Sequence, residues 1–376
     1  AKPELLEGFL NFRSDGIFIG FMRGNNDVKV LLNPEMLLPY HVAVLGATGS
    51  GKSYAVGVMV EELLERGMPV VAVDPHGEYK WFSRENDNPE DVERAKRIGL
   101  TLKGFPTTVY SLGEEEGRKL SIGISDLNPY ALAEVCDLSG AQSDLLYLAF
   151  KKVDGEGYGL EELVSAVKAA AEEWGFQRNT LMATLRKIQA LNEFVFFGGN
   201  VDVGGLVKPG RLSVLDLSGN VDERVRRTIV GVVLEKIFTA RRRGEIPPLT
   251  IVVEESHRFA PQGAGGYCGS VLRRIAREGR KFGVTLCLTS QRVAGLDKDI
   301  LTQCGTKIIL RIEGAYDIEY LKPILDYASA DDAERIPLLP TGTAMVTGMA
   351  TRMPILVDIR PRRTKHGGGH QAFWKR

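Results

Sequence analysis

The chain has 376 residues, 44% hydrophobic and 26% charged, an ordinary globular composition that excludes wholesale disorder. Its 48 Lys and Arg balance 48 Asp and Glu, so bulk charge makes no case for nucleic-acid binding, although a local basic patch is still open to it. No apolar run is long enough to span a bilayer and no leader-like pattern opens the chain, so neither a membrane segment nor a secretory signal is expected.

The length fits one large α/β domain with an elaboration, or two modest domains. Cys136, Cys268, Cys287 and Cys304 lack paired metal-ligand spacing and the histidines do not cluster with them, which predicts a reduced, cytoplasmic protein without structural zinc.

In chain order, Phe9–Phe12, Gly16–Met22 and Asp27–Leu32 read as short strands separated by Ser-Asp-Gly and Gly-Asn-Asn turns. Residues 1–40 are too few to bury a core, which predicts a β segment at an edge or the remnant of a larger β-module. Val42–Leu45 is a short apolar run ending in glycines, as a buried parallel strand should be. Ser53–Arg66 then has apolar positions at Val56, Met59, Val60, Leu63 and Leu64, with Glu61, Glu62 and Glu65 on the other face and Gly67 as a stop. Val70–Asp74 completes a strand-helix-strand unit.

Further apolar strands are predicted at Leu212–Leu217, Thr250–Glu254, Val284–Ser290, Lys307–Ile312, Ala344–Thr347 and Ile355–Ile359. From Tyr130 to Phe197 the pattern is helical, with amphipathic stretches near Ala131–Asp137, Ser143–Val153, Leu160–Glu173 and Thr180–Asn192. The predicted fold is α/β: a P-loop core with a mostly parallel sheet flanked by helices. The core occupies 41–125 and 205–360, a helical insertion 126–204, and a polar tail 361–376.

Gly46-Ala47-Thr48-Gly49-Ser50-Gly51-Lys52-Ser53 matches G-x-x-x-x-G-K-[ST] between an apolar strand and an amphipathic helix. Glycines let consecutive backbone N–H groups turn inward around a phosphate, Lys52 reaches the β- and γ-phosphates, and Ser53 offers its hydroxyl to Mg²⁺. ATP and Mg²⁺ are the expected ligands. A strand ending in Glu254 and Glu255 is expected beside the loop strand, with Glu254 near the metal and Glu255 on the attacking water. Gln291, at the tip of Val284–Ser290, can sense the γ-phosphate. Asp74, at a third strand tip, either joins the nucleotide site or caps the turn that follows it. In the basic run Arg273–Lys281, Arg280 after a helix-ending Gly279 is expected to project toward a neighbouring subunit's nucleotide, with Arg277 the alternative. The glycine-rich Gln262–Tyr267 stretch and the following Arg273 and Arg274 are candidates to meet DNA phosphates; an idle surface loop is the competing reading. The tail from Arg360 is either a disordered basic arm or a strap onto a neighbour.

Taken together, His41-Val-Ala-Val-Leu-Gly-Ala-Thr-Gly-Ser-Gly-Lys-Ser, Val73-Asp-Pro-His-Gly-Glu-Tyr, Val253-Glu-Glu-Ser-His, Arg277-Glu-Gly-Arg-Lys-Phe-Gly and Ser290-Gln-Arg resemble, in order, the motifs of HerA-type ATPases of the HerA/FtsK branch of P-loop motors. The resemblance runs from about Pro39 to Asp358. It implies a homo-hexameric, ATP-driven translocase with double-stranded DNA in its central channel, typically archaeal, working with a NurA-type nuclease in DNA-end resection. It assigns phosphate binding to Lys52, catalysis to Glu255, sensing to Gln291 and the trans-acting finger to Arg280. Glu254 stands where the family has Asp, and Tyr40 where relatives often carry Arg. The region before the loop is short for the family's N-terminal barrel, so the nuclease contact is expected to be weaker or absent. A secretion- or conjugation-type motor that moves protein or DNA is the alternative.

Overall fold

The computed structural model describes residues 9, 10, 12–112, 117–153, 157–193, 199–219, 221–263, 265–351 and 353–367. Among the described residues twelve strands form one mixed sheet: β1 (Ile17–Met22), β2 (Asn25–Leu32), β3 (Val42–Leu45), β4 (Val70–Asp74), β5 (Thr107–Ser111), β6 (Arg118–Lys119), β7 (Leu212–Asp216), β8 (Leu249–Val253), β9 (Val284–Ser290), β10 (Thr306–Ile309), β11 (Thr343–Gly348) and β12 (Ile355–Ile359). Their order is β2-β1-β12-β11-β10-β3-β9-β8-β4-β7-β5-β6. From β10 to β6 every neighbouring pair is parallel. From β10 outward through β11, β12, β1 and β2 the pairs are antiparallel.

The central strands are buried on both faces because helices cover both. Along β4, Val71 and Val73 enter one core while Val70 and Ala72 enter the other, as the two-residue strand period requires. One face packs against α1 (Lys52–Glu65). On the opposite side, one continuous core joins the sheet to α2 (Pro129–Val135), α3 (Gly140–Phe150), α4 (Leu160–Glu173), α5 (Arg178–Gln189), α6 (Glu223–Arg242) and α7 (Tyr267–Phe282), with α3, α4 and α5 packed on one another and reaching α6 through α2. α3 starts three residues before the expected Ser143 because Ser139 and Gln142 form a capping box, the Gln142 side chain accepting from the Ser139 N–H.

Several expectations need correction. β8 does not adjoin the loop strand: β9 lies between β3 and β8. Phe9–Phe12 is not a strand. Phe9 is helical and Leu10 lies in a turn, Asn11 lies outside the described residues, and β1, which follows, already has β2 and β12 on its two edges. The α7 helix runs through Gly279 and stops at Gly283, whose φ of 68° suits glycine. Gly279 is instead a packing glycine, since a Cβ there would sit 2.8 Å from the Val284 carbonyl oxygen. Phe197, the expected end of the helical stretch, lies outside the described residues.

Arg360–Gly367 does not extend into solvent. It crosses α1, and Thr364 bridges back to Glu85. This covers the carboxylate face that the helical pattern assigns to water: Glu61 is 0% and Glu62 5% exposed.

Candidate nucleotide site

The loop after β3 is shaped by its glycines. Gly49 and Gly51 have φ of 76° and 100°, and a Cβ on Gly46 would lie 2.6 Å from the Ser50 hydroxyl. Gly46 and Ala47 donate their N–H groups to the carbonyls of Ser290 and Arg311, anchoring the loop to the tips of β9 and β10. Ala47 therefore shapes the cradle rather than donating into it. The N–H groups of Thr48, Gly49 and Gly51 meet no acceptor among the described residues, and α1 begins immediately after, at Lys52, with Ser53 in its first turn. Free donors at a helix N-terminus suit a phosphate. Gln291 reaches this loop: its side-chain oxygen accepts from the Thr48 hydroxyl.

β8 ends in a sharp turn. Glu255 has φ 49° and ψ 47°, a left-handed conformation that costs a non-glycine residue about 1–2 kcal/mol. The turn sends the two carboxylates to different partners. Lys52 Nζ donates to Glu255 Oε1 at 2.8 Å across 203 residues of sequence, with both side chains over nine-tenths buried. Glu255 Oε2 has no hydrogen bond of good geometry, although His257 Nδ1 stands 3.2 Å from it. His257 Nδ1 also lies 3.1 Å from Ser290 Oγ, and Ser290 already donates to the Arg292 carbonyl. Ser290 can therefore only accept from the imidazole, which puts the ring proton on Nδ1. Burial pushes the His257 pKa down, opposed by Glu255.

Each Glu254 oxygen accepts from one hydroxyl. The Tyr79 hydroxyl donates to its Oε1 at 2.6 Å and the Thr289 hydroxyl donates to its Oε2. Burial raises its pKa, opposed by those two hydroxyls. Thr289 also accepts the Glu255 N–H at 3.1 Å, so one hydroxyl ties both acids to β9. Asp74 accepts from the N–H groups of His76 (3.1 Å), Gly77 (2.9 Å) and Tyr79 (2.8 Å). Of its two sequence readings the geometry fits the turn cap, and that turn delivers Tyr79 to Glu254. Burial raises the Asp74 pKa to about 7, with Glu254 and Asp216 adding to it against the backbone donors.

The tips of β3, β9, β8 and β4 thus bring Lys52, Gln291, Glu254, Glu255 and Asp74 to one edge of the sheet. Tyr79, His257 and Thr289 are the members that residue-by-residue reading passed over. Tyr79 and His257 stand inside the quoted motifs, while Thr289 carries no signal beyond its place near a strand end.

Arg280 is not at its own loop. It is exposed on the last turn of α7, its guanidinium 4.1 Å from the centre of the Tyr40 ring, near the opposite end of β3. Arg273, Arg274 and Arg277 pair with Asp297, Glu235 and Asp299. Gln262 is anchored by Lys298 and Tyr320, and Tyr267 is buried with its N–H on Glu134. The ends of that glycine-rich stretch are therefore held, and Ala264 within it lies outside the described residues.

Among the described residues no helix is long and apolar enough to cross a membrane, and no cluster of His, Cys, Asp or Glu forms a dedicated metal site.

The fold is shared with VirB4 of Thermoanaerobacter pseudethanolicus (TM-score 0.66, 16% identity, 92% of this chain and 96% of that one). It is also shared with the plasmid coupling protein TrwB bound to a non-hydrolysable ATP analogue (TM-score 0.63, 16% identity, 97% and 94%). In sequence, the chain is 31% identical to the DNA double-strand break repair helicase HerA of Pyrococcus furiosus, over 98% of this chain and 74% of that protein. It is 30% identical to the protein of the same name from Sulfolobus acidocaldarius, over 97% and 74%. The family model described as the central domain of helicase HerA matches residues 17–237, and with relatives this similar over nearly its whole length the chain belongs to the HerA helicase family.

Proposed function

We propose that this protein is an ATP-hydrolysing motor that works on double-stranded DNA in end resection and repair, as a homo-hexameric ring with the duplex in its channel. The observation that carries the reading is the Lys52–Glu255 pair: a phosphate-loop cation and a carboxylate from a distant strand, held against each other in a partly satisfied, strained geometry. The names and family of the relatives support the DNA-repair setting.

In the proposed cycle, ATP draws Lys52 from Glu255 to its phosphates, and the N–H groups of Thr48, Gly49 and Gly51 donate to phosphate oxygens. The freed Glu255 oxygen then accepts a proton from the water that attacks the γ-phosphorus, with His257 standing 3.2 Å from the other oxygen. Gln291, already on Thr48, reports whether the γ-phosphate is present. The residues suit Mg²⁺: Ser53 has a hydroxyl on the first turn of α1, and Glu254 is a buried carboxylate fixed by two hydroxyls, so these two would hold the ion. Bound there, Mg²⁺ would neutralise charge on the β- and γ-phosphates. Arg280 serves the neighbouring subunit. Four strand residues, roughly 13 Å, separate the Tyr40 end of β3 from its loop end, too far for the side chain to attend its own phosphate. A NurA-type nuclease as partner and a cytoplasmic setting belong to the same reading.

The test is ATP turnover with and without blunt duplex DNA, alongside mass in solution. Stimulation by duplex and a six-subunit mass are expected. A monomer with duplex-indifferent turnover would sink the reading, and stimulation by a protein substrate alone would favour the alternative of a secretion- or conjugation-type motor. Mixing Arg280→Ala with Glu255→Gln should restore part of the activity if the arginine acts in trans.

A further inference from the structure

Of the four arginines on α7, three have carboxylate partners among the described residues, and Arg280 has an aromatic face instead. Tyr40, which supplies that face, is itself firmly placed. The Gly305 N–H donates to its carbonyl at 2.6 Å, and a Cβ on Gly305 would lie 2.7 Å from the Tyr40 Cβ. Two residues earlier, the Leu38 carbonyl accepts from the Thr285 hydroxyl at 2.6 Å.

The next residue, His41, grips the arginine helix directly. It has φ 57° and is 2% exposed. Its Nδ1 accepts the Leu286 N–H at 2.9 Å, so the ring proton is on Nε2, which donates to the Ala276 carbonyl at 3.0 Å. Ala276 lies one helical turn before Arg280. The loop strand β3 starts at the following residue, Val42. The dipeptide Tyr40-His41 therefore joins the strand that carries one subunit's phosphate loop to the helix that carries the arginine.

We propose that Tyr40 is a positioning residue for Arg280: its ring holds the guanidinium at a set place on a helix that His41 ties to the loop strand. The inference rests on the reading of Arg280 as a finger. Stacking suits that task. A guanidinium lying over an aromatic face keeps its in-plane N–H groups free, whereas a carboxylate partner would occupy the donors a neighbour's γ-phosphate needs. The Tyr40 hydroxyl makes no hydrogen bond among the described residues, so the ring is the working part.

The experiment compares the full chain with Tyr40→Phe, Tyr40→Leu, Arg280→Ala, and Tyr40→Leu combined with Arg280→Ala. It reads kcat, KM for ATP, affinity for a fluorescent ATP analogue, and mass. Phe keeps the π face, and Leu keeps apolar bulk without it. Tyr40→Phe should hold kcat within about twofold, and Tyr40→Leu should lower it roughly three- to thirtyfold with nucleotide affinity and assembly unchanged. In the Arg280→Ala background, Tyr40→Leu should add nothing, since the group it positions is gone. Mixed with Glu255→Gln, the Tyr40→Leu protein should regain activity, placing its defect on the finger side of the interface. Equal kcat in the Leu and Phe variants, with Arg280→Ala inactive, overturns the role of Tyr40 and leaves the finger intact. Loss of nucleotide affinity or assembly in Tyr40→Leu also overturns it, in favour of a packing role. Full turnover in Arg280→Ala removes the finger itself, and with it this proposal.

Discussion

Helix α1 carries two buried ion-pair systems, one at each end, and they are built to opposite specifications. At its start, Lys52 meets Glu255 with one carboxylate oxygen left without a good partner and a left-handed backbone at the acid. Toward its end, Arg360 from the C-terminal strap meets Glu61 and Glu62 at 3.0 and 3.1 Å and also donates to the Phe18 and Pro361 carbonyls. Glu61 collects further bonds from the Arg363 N–H, the Thr364 N–H and the Thr364 hydroxyl. The saturated network has no reason to open. On the proposed reading, the unsaturated pair would exchange its partners for a phosphate at little loss, because Glu255 Oε2 lacks a good partner to begin with. On that reading, the contrast separates a structural salt bridge from a functional one on the same helix.

The largest effect should come from the unsaturated end. Glu255→Gln should cut hydrolysis by about 10²–10⁴-fold while ATP still binds, since the amide cannot take the water's proton. Its thermal midpoint should stay within a few degrees of the parent. A large destabilisation would show that the pair is structural after all, and the comparison would fall.

At the saturated end the expectation reverses. Arg360→Ala strands two buried carboxylates and should cost about 3–5 kcal/mol of stability, read from denaturant midpoints. At temperatures where the variant remains folded, its ATP affinity should be near normal. Loss of affinity without loss of stability would mean the strap acts on the site itself.

The smallest effect sharpens the picture with pH. His366, at the end of the strap, is edge-on to the Tyr54 ring, and its Nδ1 lies 3.1 Å from Arg362 Nη1. Burial, helped by Arg362, lowers its pKa from 6.5 to about 4. The unfolded chain therefore binds the proton more readily, so the strap's contribution is complete above pH 6.5 and declines as pH falls toward 4. His366→Phe should flatten the pH dependence of the unfolding midpoint in that window. An unchanged slope would place the acid sensitivity elsewhere.

The sequence by itself determined the local chemistry. A glycine-rich loop between an apolar strand and an amphipathic helix needs no distant information, because the φ values and free donors it demands are properties of those residues. The apolar strands from β7 to β11 were legible for the same reason, since burial on both faces writes a continuous hydrophobic run, and β12, whose burial alternates, is still mostly apolar. β5 and β6 were not, because half-buried or exposed strands such as Thr107–Ser111 and Arg118–Lys119 carry no such run.

Tertiary structure decided which elements became neighbours. Nothing in Leu249–Val253 says that β9 separates it from the loop strand, since register and order depend on how all twelve strands compete for partners. Glu61, Glu62 and Glu65 look alike on a helical pattern, yet only the first two are covered, because the chain returns some 300 residues later with Arg360 to meet them. Asp74 and Tyr79 are five residues apart, but the Tyr79 hydroxyl finds Glu254 only because β4 and β8 lie side by side. Periodicity shows which face of an element is polar, and only the fold decides whether that face meets water or a buried partner brought from far along the chain.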